Sequence, residues 1–334
     1  MASRVAMQQI LCPTDYSECS RRALVRAIEL AGWFEARVTV MHSIGFVPPG
    51  LAAAAVGGFG VPSEAAPPSW EDDERAQLER FVEPHLGAGV PIETKLIQGA
   101  SGDRWREIQA EAEALPADLI VMGTHGRTGL DHVLVGSVTE KVLRVAPCPV
   151  LAVAATDGEA DREPLFRRIV CATDLTAPSS PTVTFAVSLA SENLARVTLL
   201  HVIEELGEDR GPDLDRPLPG IGALRRTLIG QARERLSRLG LPARTFCDVS
   251  ERVETGRPWR EILRVARESR ADLIVVGAHT GGAFGRLLLG SNANQVIRHA
   301  DCPVLVVRDC YGASAPPALA SGQESRPGRS AWAR

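Results

Sequence analysis

Short apolar runs alternate along the chain with longer stretches in which apolar residues recur every three or four positions. Gln9-Ile-Leu-Cys-Pro-Thr-Asp15 reads as a strand ending in a polar turn. Ser17 can cap the helix that follows, where Leu24, Ala27, Ile28 and Ala31 share one face. Arg37-Val-Thr-Val-Met-His42 is a second strand, and residues 91–97 form a third. Between these two, a Pro/Gly/Ala-rich loop over 45–69 is expected to be mobile. A helix then starts near Trp70, its N-terminus favoured by Glu71, Asp72, Asp73 and Glu74. A further helix carrying Trp105, Ile108 and Ala112 leads into Ala117-Asp-Leu-Ile-Val-Met122, the fourth strand. Val138, Val142 and Val145 mark one face of a helix stopped by Pro147, and Pro149-Val-Leu-Ala-Val153 closes the unit as a fifth strand.

The pattern then starts again. Ile169-Val-Cys-Ala-Thr-Asp174 repeats Ile10-Leu-Cys-Pro-Thr-Asp15, and Val197-Thr-Leu-Leu-His201 repeats Val38-Thr-Val-Met-His42. Trp259-Arg-Glu-Ile262 repeats Trp105-Arg-Glu-Ile108, and Ala271-Asp-Leu-Ile-Val-Val-Gly277 repeats the run from Ala117 to Gly123. Cys302-Pro-Val-Leu305 repeats Cys148-Pro-Val-Leu151. Several matches in one order mean two copies of one domain. Strands alternating with helices imply parallel βαβ units. The expected fold is therefore α/β: two tandem doubly wound domains, each a five-stranded, mostly parallel sheet flanked by helices. The expected boundaries are 1–155 and 166–310, with a charged linker over 156–165 and a Ser/Ala/Pro/Gly/Arg-rich tail over 311–334 that is expected to be disordered.

Composition narrows the function without naming it. The 334 residues suffice for two domains with real cores, and 45% hydrophobic with 23% charged residues is ordinary for a globular chain. A net charge of −4 without a basic cluster argues against a nucleic-acid surface. No apolar run reaches membrane-spanning length, and the N-terminus lacks a signal-peptide core, so the cytoplasm is expected. Seven cysteines without a Cys-x-x-Cys pair disfavour a disulfide framework or a zinc site. Cys12 with Cys171, and Cys148 with Cys302, occupy equivalent strand positions and read as small buried hydrophobes. Trp105 and Trp259 read as helix packing, and His42 as a strand-end residue bonded to backbone.

The candidate chemistry lies in Gly123-Thr-His-Gly126-Arg-Thr-Gly-Leu-Asp-His-Val-Leu-Val-Gly136-Ser137-Val138. A strand, a glycine-bearing loop and a helix start offer free backbone N–H groups and the positive end of a helix dipole, a seat for phosphate. Gly123 and Gly126 leave room for a ligand against the backbone, and Ser137 adds a hydroxyl. Asp15 and Gly123 both end strands, so both can face the crevice where such sheets bind ligands.

The spacing Gly-x2-Gly-x9-Gly-Ser, with the wording Gly-Thr-His-Gly-Arg-Thr-Gly-Leu, resembles the nucleotide signature of the universal stress protein family. The resemblance covers roughly residues 7–153 and 166–308. It implies an adenine nucleotide, ATP alone or with Mg2+, lying across the strand ends. Carried over position by position, Pro13, Thr14, Asp15 and Ser43 would line base and ribose. Gly123, His125, Gly126, Gly136, Ser137 and Val138 would hold ribose and phosphates, with Arg127 adding charge at the outer phosphate. It also implies that the two copies pair about a pseudo-twofold axis through their last strands, 150–153 and 304–307, with further homodimerisation left open.

In the second copy the counterparts are Thr173, Asp174, Val202, Gly277, Gly290 and Ser291. Its loop replaces the middle glycine with Thr280, which is β-branched and disfavours positive φ, and replaces Val138 with Asn292. Pro178 and Pro181 suit a later helix start, with Ser180 as cap and Pro181 at the first helical position. One nucleotide site in the first copy and a degenerate one in the second are expected. The resemblance implies an ATP-binding regulator of the stress response, at most a slow ATPase. Two alternatives stand beside it: a nucleotide-independent interaction module, and an ATPase or nucleotidyl transferase. The last has neither a Walker Gly-Lys-Ser/Thr loop nor a general base placed beside the phosphates.

Overall fold

The computed structural model describes residues 5–44, 69–99, 103–124, 135–154, 166–175, 181–204, 221–278 and 289–308. The loop expected over 45–69, the linker and the tail fall almost wholly outside them.

In the first copy, β1 (Gln9–Thr14), α1 (Glu18–Phe34), β2 (Arg37–Ile44), α2 (Ser69–Val82), β3 (Ile92–Gln98), α3 (Arg104–Ala114), β4 (Leu119–Gly123), α4 (Ser137–Val145) and β5 (Val150–Val153) follow one another. The second copy repeats them as β6 (Arg168–Ala172), α5 (Pro181–Asn193), β7 (Arg196–Glu204), α6 (Ile221–Gly240), β8 (Asp248–Gly256), α7 (Pro258–Glu268), β9 (Leu273–Gly277), α8 (Ser291–His299) and β10 (Val304–Val307). Local chemistry fixes several boundaries. The Ser17 hydroxyl accepts from the Ser20 N–H at the start of α1, as its sequence position predicts. Helix α5 starts at Pro181, where the missing N–H costs nothing.

The strands form one ten-stranded sheet in the order β3-β2-β1-β4-β5-β10-β9-β6-β7-β8. Within each half every pair is parallel, and the halves join where β5 meets β10 antiparallel. The register there is Val304 with Ala152, Leu305 with Leu151 and Val306 with Val150. Leu151 and Leu305 are repeat equivalents, so the pseudo-twofold axis passes between them. The pairing expected of the last strands is thus the central seam of one continuous sheet.

Two apolar layers cover the sheet, and both cross the seam. Helices α1, α2, α5 and α6 pack one face, around Leu24, Phe81, Phe185 and Leu236. Helices α3, α4, α7 and α8 pack the other, around Ile108, Val142, Ile262 and Val296. Cys12 and Cys171 lie inside the first layer, and burial pushes their thiols up to about 12. Cys148 and Cys302 lie in the second, so all four are the packing residues that the repeat suggests. Trp105 and Trp259 pack against that same layer.

Polar and aromatic contacts also bridge the halves. The Trp33 and Phe166 rings meet edge-on at 6.0 Å. Arg308, 5% exposed, donates to the carbonyls of Ala146 and Arg144, each at 2.7 Å. A guanidinium from the second half thereby caps the C-terminus of α4, where the dipole favours positive charge. Arg308→Ala is expected to lower stability by about 2 kcal/mol, because it strands two carbonyls and leaves a void; a urea midpoint unchanged from the parent would contradict that role.

Candidate functional site

The strand order of the first half reverses between β1 and β4, and the crevice at such a switch point lies beyond the carboxyl ends of the strands. Thr14 stands level with His42 on β2, and the β1–β4 register brings Gly123 to the same end. Helix α4 is tied to that end from its first turn. The Gly136 N–H donates to the Thr124 carbonyl at 2.7 Å, and the Thr139 hydroxyl donates to the Gly123 carbonyl at 2.8 Å. Pro13, Thr14, Asp15, Ser43, Gly123, Gly136, Ser137 and Val138 therefore share one edge. His125, Gly126 and Arg127 lie outside the described residues.

The α4 start suits an anion. Gly136 is the N-cap and supplies no side-chain acceptor. Among the described residues, the N–H groups of Ser137, Val138 and Thr139 meet no acceptor, as first-turn amides do without a capping side chain. The Gly136 N–H is not among the open ones, being spent on Thr124, which corrects the expectation that it faces phosphate. Gly123 needs a second correction. A Cβ there would lie 2.7 Å from Cys19 Cβ and 3.0 Å from the Cys19 carbonyl carbon, so its bare Cα makes room for α1, not for a ligand.

The β1 turn is built from its own side chains. The buried Thr14 hydroxyl accepts from the Tyr16 N–H and donates to the Ser20 hydroxyl, both at 3.0 Å, which holds Tyr16 at φ 64°. One Asp15 oxygen accepts from the Ser17 N–H at 3.0 Å. His42 Nδ1 lies 2.7 Å from the Thr14 carbonyl, the backbone-bonded role its position predicts, and its ring stacks on Tyr16 with centroids 4.3 Å apart. Thr14 thus shapes the turn more than it faces the crevice.

Ser43 has a partner that sequence reading missed. Its hydroxyl donates to a carboxylate oxygen of Glu107 in the first turn of α3. Glu107 stands within the repeated Trp-Arg-Glu-Ile motif, so the signal was present, but that motif reads most simply as packing.

The second half repeats the frame. His201 Nδ1 lies 2.8 Å from the Thr173 carbonyl, and the Leu175 N–H donates to the Thr173 hydroxyl with Leu175 at φ 60°. The Gly290 N–H donates to the Ala278 carbonyl at 2.8 Å, and α8 also starts without a side-chain cap. Thr173, Asp174, Val202, Gly277, Gly290 and Ser291 thus gather as their counterparts do. The two frames differ in lining: Val202 stands where the first has Ser43, and Asn292 where it has Val138. Thr280 lies outside the described residues.

Comparison with known proteins follows the repeat. The model of the universal stress protein family matches residues 7–154 and again 165–308. A universal stress protein of Methanocaldococcus jannaschii is 36% identical over 146 residues, which cover 44% of this chain and 81% of that protein. A universal stress protein of Mycolicibacterium smegmatis is 28% identical over 306 residues, 90% of this chain and 96% of its own. Among solved structures, a universal stress protein from Archaeoglobus fulgidus matches over 90% of this chain and 96% of its own, with a TM-score of 0.57 and 22% identity, a likeness of fold. No helix among the described residues is long and apolar enough to cross a membrane.

Proposed function

The chain belongs to the universal stress protein family, with two of its domains in tandem, and from that premise we propose that it is a cytoplasmic, ATP-binding regulator of the stress response whose first half holds the nucleotide. The observation that carries this reading is the uncapped first turn of α4, with the Ser137, Val138 and Thr139 amides open at the switch point. Phosphate oxygens would take those amides and the exposed Ser137 hydroxyl, joined by His125, Gly126 and Arg127 from the loop. Pro13, Asp15 and Ser43 would face ribose and base. Mg2+ would enter, if at all, on the phosphates.

Nucleotide would bias partner binding, with turnover at most slow. Among the described residues the second half keeps open amides at Ser291, Asn292 and Ala293, but it lines its base side with Val202, so we assign it the weaker site.

Ser137→Glu tests the reading cleanly. An acidic side chain in the first turn favours the helix, so the fold is retained while phosphate is repelled. ATP affinity by calorimetry is expected to fall at least about tenfold, the effect of roughly 1.4 kcal/mol. Unchanged affinity would remove α4 from the site.

A further inference from the structure

We propose that Glu107 reads the base of the nucleotide in the first half, selecting adenine, with its exocyclic amine, over hypoxanthine, which carries a carbonyl at the same ring position. The proposal rests on the nucleotide reading above and adds the group that sets base choice.

Ser43 is 8% exposed and alternates with His42 along β2, so it faces the α3 and α4 side of the sheet, as Met41 does. Glu107 reaches it from α3, accepting the Ser43 hydroxyl on Oε2. Its other oxygen, Oε1, is buried and, among the described residues, meets no hydrogen-bond donor. A buried carboxylate oxygen without a donor is costly, and proteins keep such a group where something else completes it. An N–H-bearing ligand edge laid against Ser43 supplies that donor. Because the Ser43 hydrogen points at Glu107, what the pair offers a ligand is acceptors, Oε1 and the Ser43 oxygen. An amine satisfies them; a carbonyl is repelled by them.

Two neighbours sharpen the assignment. An ideal Cβ on Gly99 would overlap Glu107 Oε1, so the carboxylate occupies the volume that any other residue at 99 would fill. Among the described residues, Lys95 on the neighbouring strand binds Glu111 at 2.6 Å, and the residue three places after Glu107 is Ala110. The equivalent carboxylate of the second half is in the opposite condition. Three places after Glu261 stands Arg264, whose Nε and Nη2 both donate to Glu261, at 2.8 and 2.6 Å, while Val202 offers it no hydroxyl. The same residue type is therefore quenched in one half, while in the other one of its oxygens lacks a donor among the described residues.

The experiment is calorimetric titration of the full chain with ATP and with ITP, which differ in that one ring substituent and the neighbouring N–H. The parent is expected to prefer ATP by about ten- to a hundredfold, the range for one hydrogen bond to a charged group. Glu107→Ala is expected to weaken ATP by a similar factor and bring the two nucleotides level. Glu107→Gln, which is isosteric and presents an amide donor, is expected to move the preference toward ITP, a gain that a purely structural residue cannot give. Gly99→Ala leaves Glu107 in place but displaces its carboxylate, and is expected to erase the preference as well. ATP binding with an ATP-to-ITP ratio unmoved by these substitutions overturns the role of Glu107 and leaves the site standing. Binding of neither nucleotide by the parent overturns both.

Discussion

Leu305→Asp is expected to cost more than about 4 kcal/mol and to remove the folded baseline in urea titrations followed by far-UV circular dichroism. Leu305 is 1% exposed and sits opposite Leu151 in the antiparallel pair that joins the halves. Both side chains enter the apolar layer beneath α1 and α5, which is continuous across the seam. An aspartate there meets leucine where a partner would be needed, so its charge is desolvated without compensation. Because the pseudo-twofold axis passes through this pair, the lesion strikes both halves at once. A cooperative transition with the parent's midpoint would mean that the seam contributes nothing and that the halves fold independently.

Gly123→Ala is expected to destabilise by about 1–3 kcal/mol although it adds one methyl group. The new Cβ would lie 2.7 Å from Cys19 Cβ and 3.0 Å from backbone carbon of the same residue, in the second position of α1. Helix α1 packs directly on β4 and cannot yield as the tip of a long side chain would. The cost should appear in thermal unfolding without nucleotide, which separates it from lost binding. A substitution at 123 is consequently a poor probe of the nucleotide site, despite its place in the glycine signature. An alanine variant as stable as the parent would show that α1 has slack against β4.

How much of this was legible follows from the range of each interaction. Strand and helix types came from periodicity, and the repeat fixed the order of elements twice over. The seam was named because the family resemblance implies pairing through the last strands, which here are 150–153 and 304–307. Pro181 announced the start of α5 through its missing N–H. Strand β8 and helix α6 were not singled out. Arg252 and Glu254 make residues 248–256 read as polar: on that face of the edge strand ion pairs to Arg264 and Glu268 stand where apolar residues would, while Val249 and Val253 pack into the first layer. The site was legible as a place but less so as chemistry. Gly123 and Gly136 look like ligand glycines in one dimension, yet one yields to a helix and the other spends its N–H on Thr124. Ser43 and Glu107 are 64 residues apart, and only the fold shows that they touch. Sequence spacing carries information about a turn or a helix face; it carries none about which side chains a sheet brings together.

The most direct measurement is the number of ATP molecules bound per chain at saturation, taken on the parent and on the paired variants Ser137→Glu and Ser291→Glu. The account predicts one tightly held ATP per chain, lost in Ser137→Glu and kept in Ser291→Glu. No bound ATP in the parent, or a single ATP that survives Ser137→Glu and disappears in Ser291→Glu, would contradict it.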